Sequence, residues 1–394
     1  YVVTAGAVRA NDPAMQALFA GVTYSGVSEL TVRGTSVASA ADPLYLILGT
    51  AAGVTTTIDA TAGPAHRNIS VQGTSSDATS SLTLLSSGSA NAWFASISSP
   101  TTFDAGGGRA KVYLESVRGS GFGINSNLVL EDAGGGVDVA LGNFWNLGAR
   151  RGTPDWFLGF DPGGSTEFAA LRDATNPNVG GLFYRPGQIH SLDVNARGHV
   201  GASLMVDFRN GDPMPSGPAA GLPDDPRPGL TYIGAAGVHP GTPYAFSLVG
   251  APPAGPFTLQ TQTVTPLYRG LIELTEPGGG IRNISYQLDA AAPIFDDSAT
   301  ALDYRWFYDI MAGSVDGFRT LPNGTVVSAV IDSNLAVVAG GAAITGSQSL
   351  GVFDTNADAR LARYRISGKT NVRLQRGWSM GTTTTTVDYQ GEVD

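Results

Sequence analysis

TTTIDAT (residues 55–61), NISVQGT (68–74) and SSLTLLSS (80–87) follow one another with only short Gly, Ser, Asp and Pro segments between them. Each run is rich in β-branched or apolar residues, and small polar residues that favour turns close it. The same pattern spreads outward to SELTVRGTS (28–36), PLYLILGT (43–50) and AKVYLESV (110–117). Strand-like runs that recur every ~10–15 residues predict an all-β chain built as a sandwich, a barrel or a stacked β-coil. No repeat of fixed length stands out to single out a solenoid.

Composition supports this reading. The 394 residues include 53 Gly and 23 Pro, with 14% charged residues, a mixture that does not suit long amphipathic helices. Seven of the 33 acidic residues are Glu, and Asp, which is at home in turns, supplies the rest. A net charge of −10 argues against nucleic acid as a partner, because phosphate binding needs a basic surface. The absence of cysteine removes disulfides, thiolate metal sites and cysteine nucleophiles. No apolar run approaches the ~20 residues that span a bilayer. The chain begins at Tyr1 rather than Met, so an upstream piece is expected to be missing.

Four regions are expected. Residues 1–120 form an N-terminal β domain with one short helix in NDPAMQALFAG (11–21), capped by Asn11 or Asp12 and ended at Gly21. Residues 121–205 form a second block of short strands carrying Trp145, Trp156, Phe157 and Phe160. Residues 206–256 hold 11 of the 23 prolines and read as a connector in which LTYIG and PYAFSLVG are short strands. Residues 257–394 read as a C-terminal antiparallel domain. Its hairpins turn at Pro277–Gly280, near Ser333-Asn334 and near Gly368-Lys369; DYRWFYDIM (303–311) favours strand, and MGTTTTTVDYQ (380–390) is a last strand.

The motifs that could carry chemistry are sparse. RGTSVAS (33–39) looks like the serine-bearing motif of subtilisin-type proteases, yet no His precedes Ser36, and a triad needs a base within reach. DTNADAR (354–360) starts like a calcium loop but has Ala359 where Gly is required and Arg365 where a bidentate Glu is required. His66, His190, His199 and His239 show no zinc spacing. No cofactor, metal or catalytic site is therefore assigned. Acids beside aromatics, namely Asp296, Asp297, Asp303 and Asp309 near Trp306 and Tyr308, are the place to look for a glycosidase pair. Arg363, Arg365, Arg373 and Arg376, on two strands read as adjacent and close to Trp378 and Tyr389, form a candidate contact for a receptor or glycan. Arg360 extends the same cluster.

SLDVNARGHVGAS (191–203) carries a resemblance. Phage tail-fibre and related virion-fibre proteins carry a W-x-L-G step followed by L-x-V/I-x-x-x-G-N-V-G-I-G-T. This sequence resembles it at Trp145-Asn146-Leu147-Gly148, then at Leu192 and Val194, then at Gly198-His199-Val200-Gly201. It departs from the pattern with His199 for Asn, Ala202 for Ile and Ser203 for the closing Gly-Thr. The resemblance covers about 70 residues. It implies a virion structural protein, a fibre or spike serving host attachment, with three chains interwoven so that Leu192, Val194 and Val200 are sheltered by neighbouring copies. Other virion proteins and a host glycan or protein would be its partners. A bacterial cell-surface adhesin and a polysaccharide-degrading tailspike are the alternatives.

Overall fold

In the computed structural model the strands do form, but most of them pair with the next strand but one rather than with their sequence neighbour. The structure describes residues 1–10, 16, 21–34, 44–62, 66–114, 124–131, 134, 136–142, 155–161, 167–174, 180–196, 202–218, 229–234 and 244–249. Beyond residue 256 it describes the backbone of the strands, and side chains only at 282–286. The chain divides into two compact units. The first is Tyr1–Phe157, Gly163–Asn195 and Met214–Gly229; the second is Leu158–Pro162, Ala196–Pro213 and Leu230–Asp394.

In the first unit, successive strands alternate between two sheets. Sheet I takes Leu44–Ile47, His66–Val71, Ser89–Phe94, Ala110–Leu114, Val137–Leu141 and Ile189–Asn195. Sheet II takes Glu29–Arg33, Thr55–Asp59, Ser81–Leu85, Thr101–Asp104, Leu128–Glu131 and Gly181–Tyr184. Each strand pairs in parallel with the next strand of its own sheet. The chain thus goes out along one sheet, turns a corner, returns along the other and arrives one rung higher in the same direction. This is a two-sheet parallel β-coil, which is how short connections can join parallel strands without crossover helices.

The register explains why no fixed period is apparent. Leu44 faces Asn68, Asn68 faces Asn91, Asn91 faces Lys111 and Lys111 faces Asp138, so successive coils consume 24, 23, 20 and 27 residues. Asp138 next faces Ser191, and that long coil contains an antiparallel excursion in which Ala169–Asp173 pairs with Gly181–Tyr184. Corners absorb most of the variation, and a register shift between Val137 and Asp138 takes up one residue more.

Alternation along each strand divides inside from outside. Tyr45, Ile69, Ala92, Val112, Val139 and Leu192 form one inward column of sheet I, with Ile47, Val71, Phe94, Leu114, Leu141 and Val194 in the next, and all are buried. Val32, Ile58, Leu84, Phe103, Leu130 and Tyr184 oppose them from sheet II. Phe94 and Phe103 meet edge to face at 6.2 Å, joining the two sheets.

Polar groups stitch the corners. Ala60 N–H donates to Leu85 O at 2.9 Å, Ser86 N–H to Asp104 O at 2.8 Å and Ala105 N–H to Glu131 O at 2.9 Å, so the ladder continues past the strand ends. On another corner Thr50 Oγ1 accepts from Ser75 N–H at 2.8 Å, and one coil later Thr74 Oγ1 accepts from Ser98 N–H at 2.7 Å and Ser99 N–H at 2.9 Å. These hydroxyls satisfy backbone donors that a corner would otherwise leave unpaired. At Gly106, φ is +62° and a Cβ would lie 2.1 Å from Ser86 O, so this stacked corner requires glycine.

The second unit repeats the scheme. Ala202–Asp207, Tyr244–Val249, Ile294–Asp296, Ser333–Ala339, Leu361–Gly368 and Thr384–Gln390 form one parallel series. Phe257–Val264, Arg305–Met311, Ser349–Asp354 and Asn371–Arg376 form the other. An antiparallel meander, Phe257–Val264 with Leu267–Thr275 and Ile281–Leu288, interrupts it. Tyr232, Phe246 and Tyr286 stack at 5.7 and 5.4 Å in its interior.

Several expectations change. The all-β class holds, and the hairpin across Pro277–Gly280 forms. The other two C-terminal hairpins do not: Ser333-Asn334 lies inside a strand, and Leu361–Gly368 and Asn371–Arg376 belong to different sheets. A coil corner and a hairpin turn use the same small polar residues, so the break near Gly368-Lys369 separates two strands that do not pair, while Ser333-Asn334 is not a turn at all. Among the described residues, the antiparallel pairing of the C-terminal region is in its meander and its short Arg319–Thr320/Val326–Val327 pair. Leu192 and Val194 are fully buried by their own chain, which removes the argument that neighbouring copies must shelter them. Part of the proline-rich connector packs on the first unit: Met214 is fully buried, and Gly217 N–H donates to Ile189 O at 2.7 Å. LTYIG and PYAFSLVG are coil strands, at Gly229–Ile233 and Tyr244–Val249. Of the N-terminal helix, Gln16 is described and helical; the rest of residues 11–20 lies outside the described residues.

Candidate functional site

Among the described residues of the first unit, apolar columns fill the interior, and the outward ladders are the regular surface open to a partner. In the first unit these are well defined. On sheet II the register stacks Thr31, Thr57, Thr83 and Thr102 directly on one another. Glu29, Thr55 and Ser81 form the neighbouring outward column, and the Ser81 hydroxyl lies 3.4 Å from Thr55 Oγ1. Stacked β-branched residues support the pairing of their own strands, which is reason enough for this ladder. Arg33 and Asp59 close its end with a 2.9 Å ion pair.

The carboxylates at the strand ends act as turn formers. Asp59 accepts from the Thr61 hydroxyl at 2.6 Å and from Thr61 N–H at 3.1 Å. These bonds, helped by Arg33, hold its carboxyl below the usual Asp range. Asp77 is likewise held down by the Thr79 hydroxyl and N–H, at 2.6 and 2.8 Å. Such self-contained Asp-x-Thr turns do not serve as proton donors near neutral pH.

Sheet I carries the more distinctive surface. Ser89–Phe94 and Ala110–Leu114 each put an aromatic ring where alternation demands an outward residue, and Trp93 and Tyr113 are opposite each other in register. Their rings stack with centroids 5.5 Å apart and planes 10° from parallel, and both are half-buried. Ser70 is the next residue of this column beyond Trp93, followed by Leu46. Beside it, Asn91 Nδ2 donates to Asn68 Oδ1 at 3.4 Å, and Gln72 Nε2 donates to Ser70 Oγ at 2.8 Å. Higher on the same face Asp138 accepts from Arg109 at 3.1 Å and from the Ser191 hydroxyl at 2.8 Å.

Neither Trp93 nor Tyr113 belongs to a recognisable motif in the sequence. The available signal was an aromatic at the polar phase of an alternating run, in SANAWF and AKVYL, where burial of every other residue makes the ring an outward one.

The residues that sequence did single out are separated. Arg363 and Arg365 lie on Leu361–Gly368, while Arg373 and Arg376 lie on Asn371–Arg376 in the opposite sheet series. Adjacent in sequence, these two strands are not paired. Asp296 and Asp309 are likewise on strands of different sheets. Arg360, Trp378, Asp297, Asp303, Ser36, His199, His239, Trp145, Gly148, Gly198, Val200 and Gly201 lie outside the described residues, as does nearly all of the calcium-loop stretch after Asp354. His190 is buried, its Nδ1 3.2 Å from Gly217 O, as a packed interior histidine would be. Among the described residues no group of three His, Asp or Glu could hold a metal ion, and no helix is long and apolar enough to cross a membrane. Comparison of the chain with protein-family models, with curated proteins and with solved structures finds no match.

Proposed function

We propose that the chain is a structural protein of an attachment device outside the cytoplasm, a virion fibre or spike whose coil presents outward ladders to a host surface. One observation carries the reading: in the first unit the paired inward columns are apolar, while the alternate positions form outward ladders. Leu84, Phe103, Leu130 and their neighbours fill the inside, while hydroxyl, amide and aromatic side chains repeat rung by rung on the outside. An array of this kind is suited to repeated weak contacts, whose avidity grows with number. No catalytic step is assigned to it.

A specific feature favours a second reading, a bacterial cell-surface adhesin. Leu192 and Val194 are covered by their own coil, so a single chain can stand without two companions. Immunogold labelling of a producing culture with antibodies raised against this chain separates the two. Label on particles supports the virion fibre, label on the cell envelope supports the adhesin, and label confined to the cytoplasm overturns both. Light scattering of the purified chain adds the oligomeric state: a trimer supports the interwoven fibre, and a monomer removes it. Release of new reducing or unsaturated ends from host polysaccharide would overturn the non-enzymatic reading in favour of a degrading spike.

A further inference from the structure

The aromatic ladder on sheet I stops one ring short, and we propose that the vacant rung over Ser70 is a binding slot for one hexopyranose ring of a neutral glycan. The inference rests on the attachment reading above and gives it a point of contact.

The column runs Leu46, Ser70, Trp93, Tyr113 in register. Parallel strands lie about 4.8 Å apart, so the rungs of Leu46 and Trp93 are separated by roughly 9.5 Å with only a serine between them. One face of Trp93 is taken by Tyr113, whose ring is nearly parallel to it. The other face looks toward the Ser70 rung. A third ring placed there would continue the stack, and Leu46 would close the far wall. The gap that a single small side chain leaves is one ring thick.

The chemistry around that gap selects the ring. Asn68 and Asn91 flank it on one side and Gln72 on the other, and the Ser70 hydroxyl forms the floor. None of these side chains is charged. Amides offer donors and acceptors together, which suits vicinal hydroxyls, and the indole face suits the C–H face of a sugar. A nucleic-acid base would also stack on Trp93, but its backbone phosphates need cations, and the chain carries a net charge of −10. A neutral glycan satisfies the apolar wall and the amide rim at once.

Two substitutions in the full chain test this. Trp93→Ala removes the wall, and Ser70→Tyr completes the ladder and occupies the slot from within. Cellohexaose, maltohexaose and the N-acetylglucosamine hexamer are titrated by calorimetry and tryptophan fluorescence, with polygalacturonate and single-stranded DNA as charged probes. We expect at least one neutral hexamer to bind the parent protein. Both variants should bind it at least about tenfold more weakly, while Ser70→Tyr melts at or above the parent temperature. Binding of charged probes only, no neutral hexamer bound, or undiminished binding by a folded Ser70→Tyr protein would each overturn the slot. Host-cell binding measured in parallel keeps the two levels distinct. Adhesion by a parent protein that binds no neutral hexamer sinks the slot and leaves attachment standing; hexamer binding without adhesion does the reverse.

Discussion

The inside and the outside of the same coils obey different rules. Inward, each rung must fit its neighbours above and below and the opposing sheet, so Ile58, Leu84, Phe103 and Leu130 are large, apolar and wholly buried. Outward, a rung answers only to the ladder beside it, and the same strands carry Thr57, Thr83, Thr102 and Val129. The difference teaches where this protein is free to vary. Packing is decided on one side of each strand and the other side is left to the ladder, with the corners as the joints between them.

The sharpest way to break that comparison is to hollow the interior. Phe103→Ala removes a buried ring that touches Phe94 across the sheets, and should destabilise the unit by about 3–5 kcal/mol in denaturant titrations. A loss below about 1 kcal/mol would mean that the interior is not close-packed. Next come the corners. Thr74→Val leaves Ser98 and Ser99 N–H without their shared acceptor and should cost about 1–3 kcal/mol, read in the same way.

A smaller effect is expected at the strand ends. Because Asp59 is held below the usual Asp range when folded, its contribution is present above about pH 3.8 and is lost as the pH falls through the folded value. Melting temperatures measured from pH 5 downward should decline more steeply for the parent than for Asp59→Asn, whose amide oxygen still accepts from Thr61. Equal slopes would show that the turn is held by other means. The least effect belongs to the exterior. Thr57→Val keeps β-branching on the ladder and should change stability by no more than about 0.5 kcal/mol. A large loss there would erase the distinction between the two sides.

How far the sequence could be read follows the same division. Strand positions such as Thr55–Asp59, Ser81–Leu85 and Ala110–Leu114 were visible because alternation is a local property. Pairing was not, because the partner of Asn68 is one whole coil away at Asn91, and the next coil is three residues shorter, reaching Lys111. Variable corners hide the repeat that a constant coil would have displayed. The arginine pairs show the consequence for sites: four residues close in sequence were assigned to one surface, yet the chain turns a corner between Gly368 and Asn371 and carries them to opposite sheets. Trp93 and Tyr113, far enough apart in sequence to look unrelated, become a single platform.

The hydroxyls of Thr50 and Thr74 have one more consequence. A cysteine-free stack clipped together by hydroxyls has no bond that a reducing environment can open. If a coil is pulled loose at one end, its clips can re-form by simple contact, without an oxidant or an isomerase. Such a material recovers from strain by zipping rather than by covalent repair.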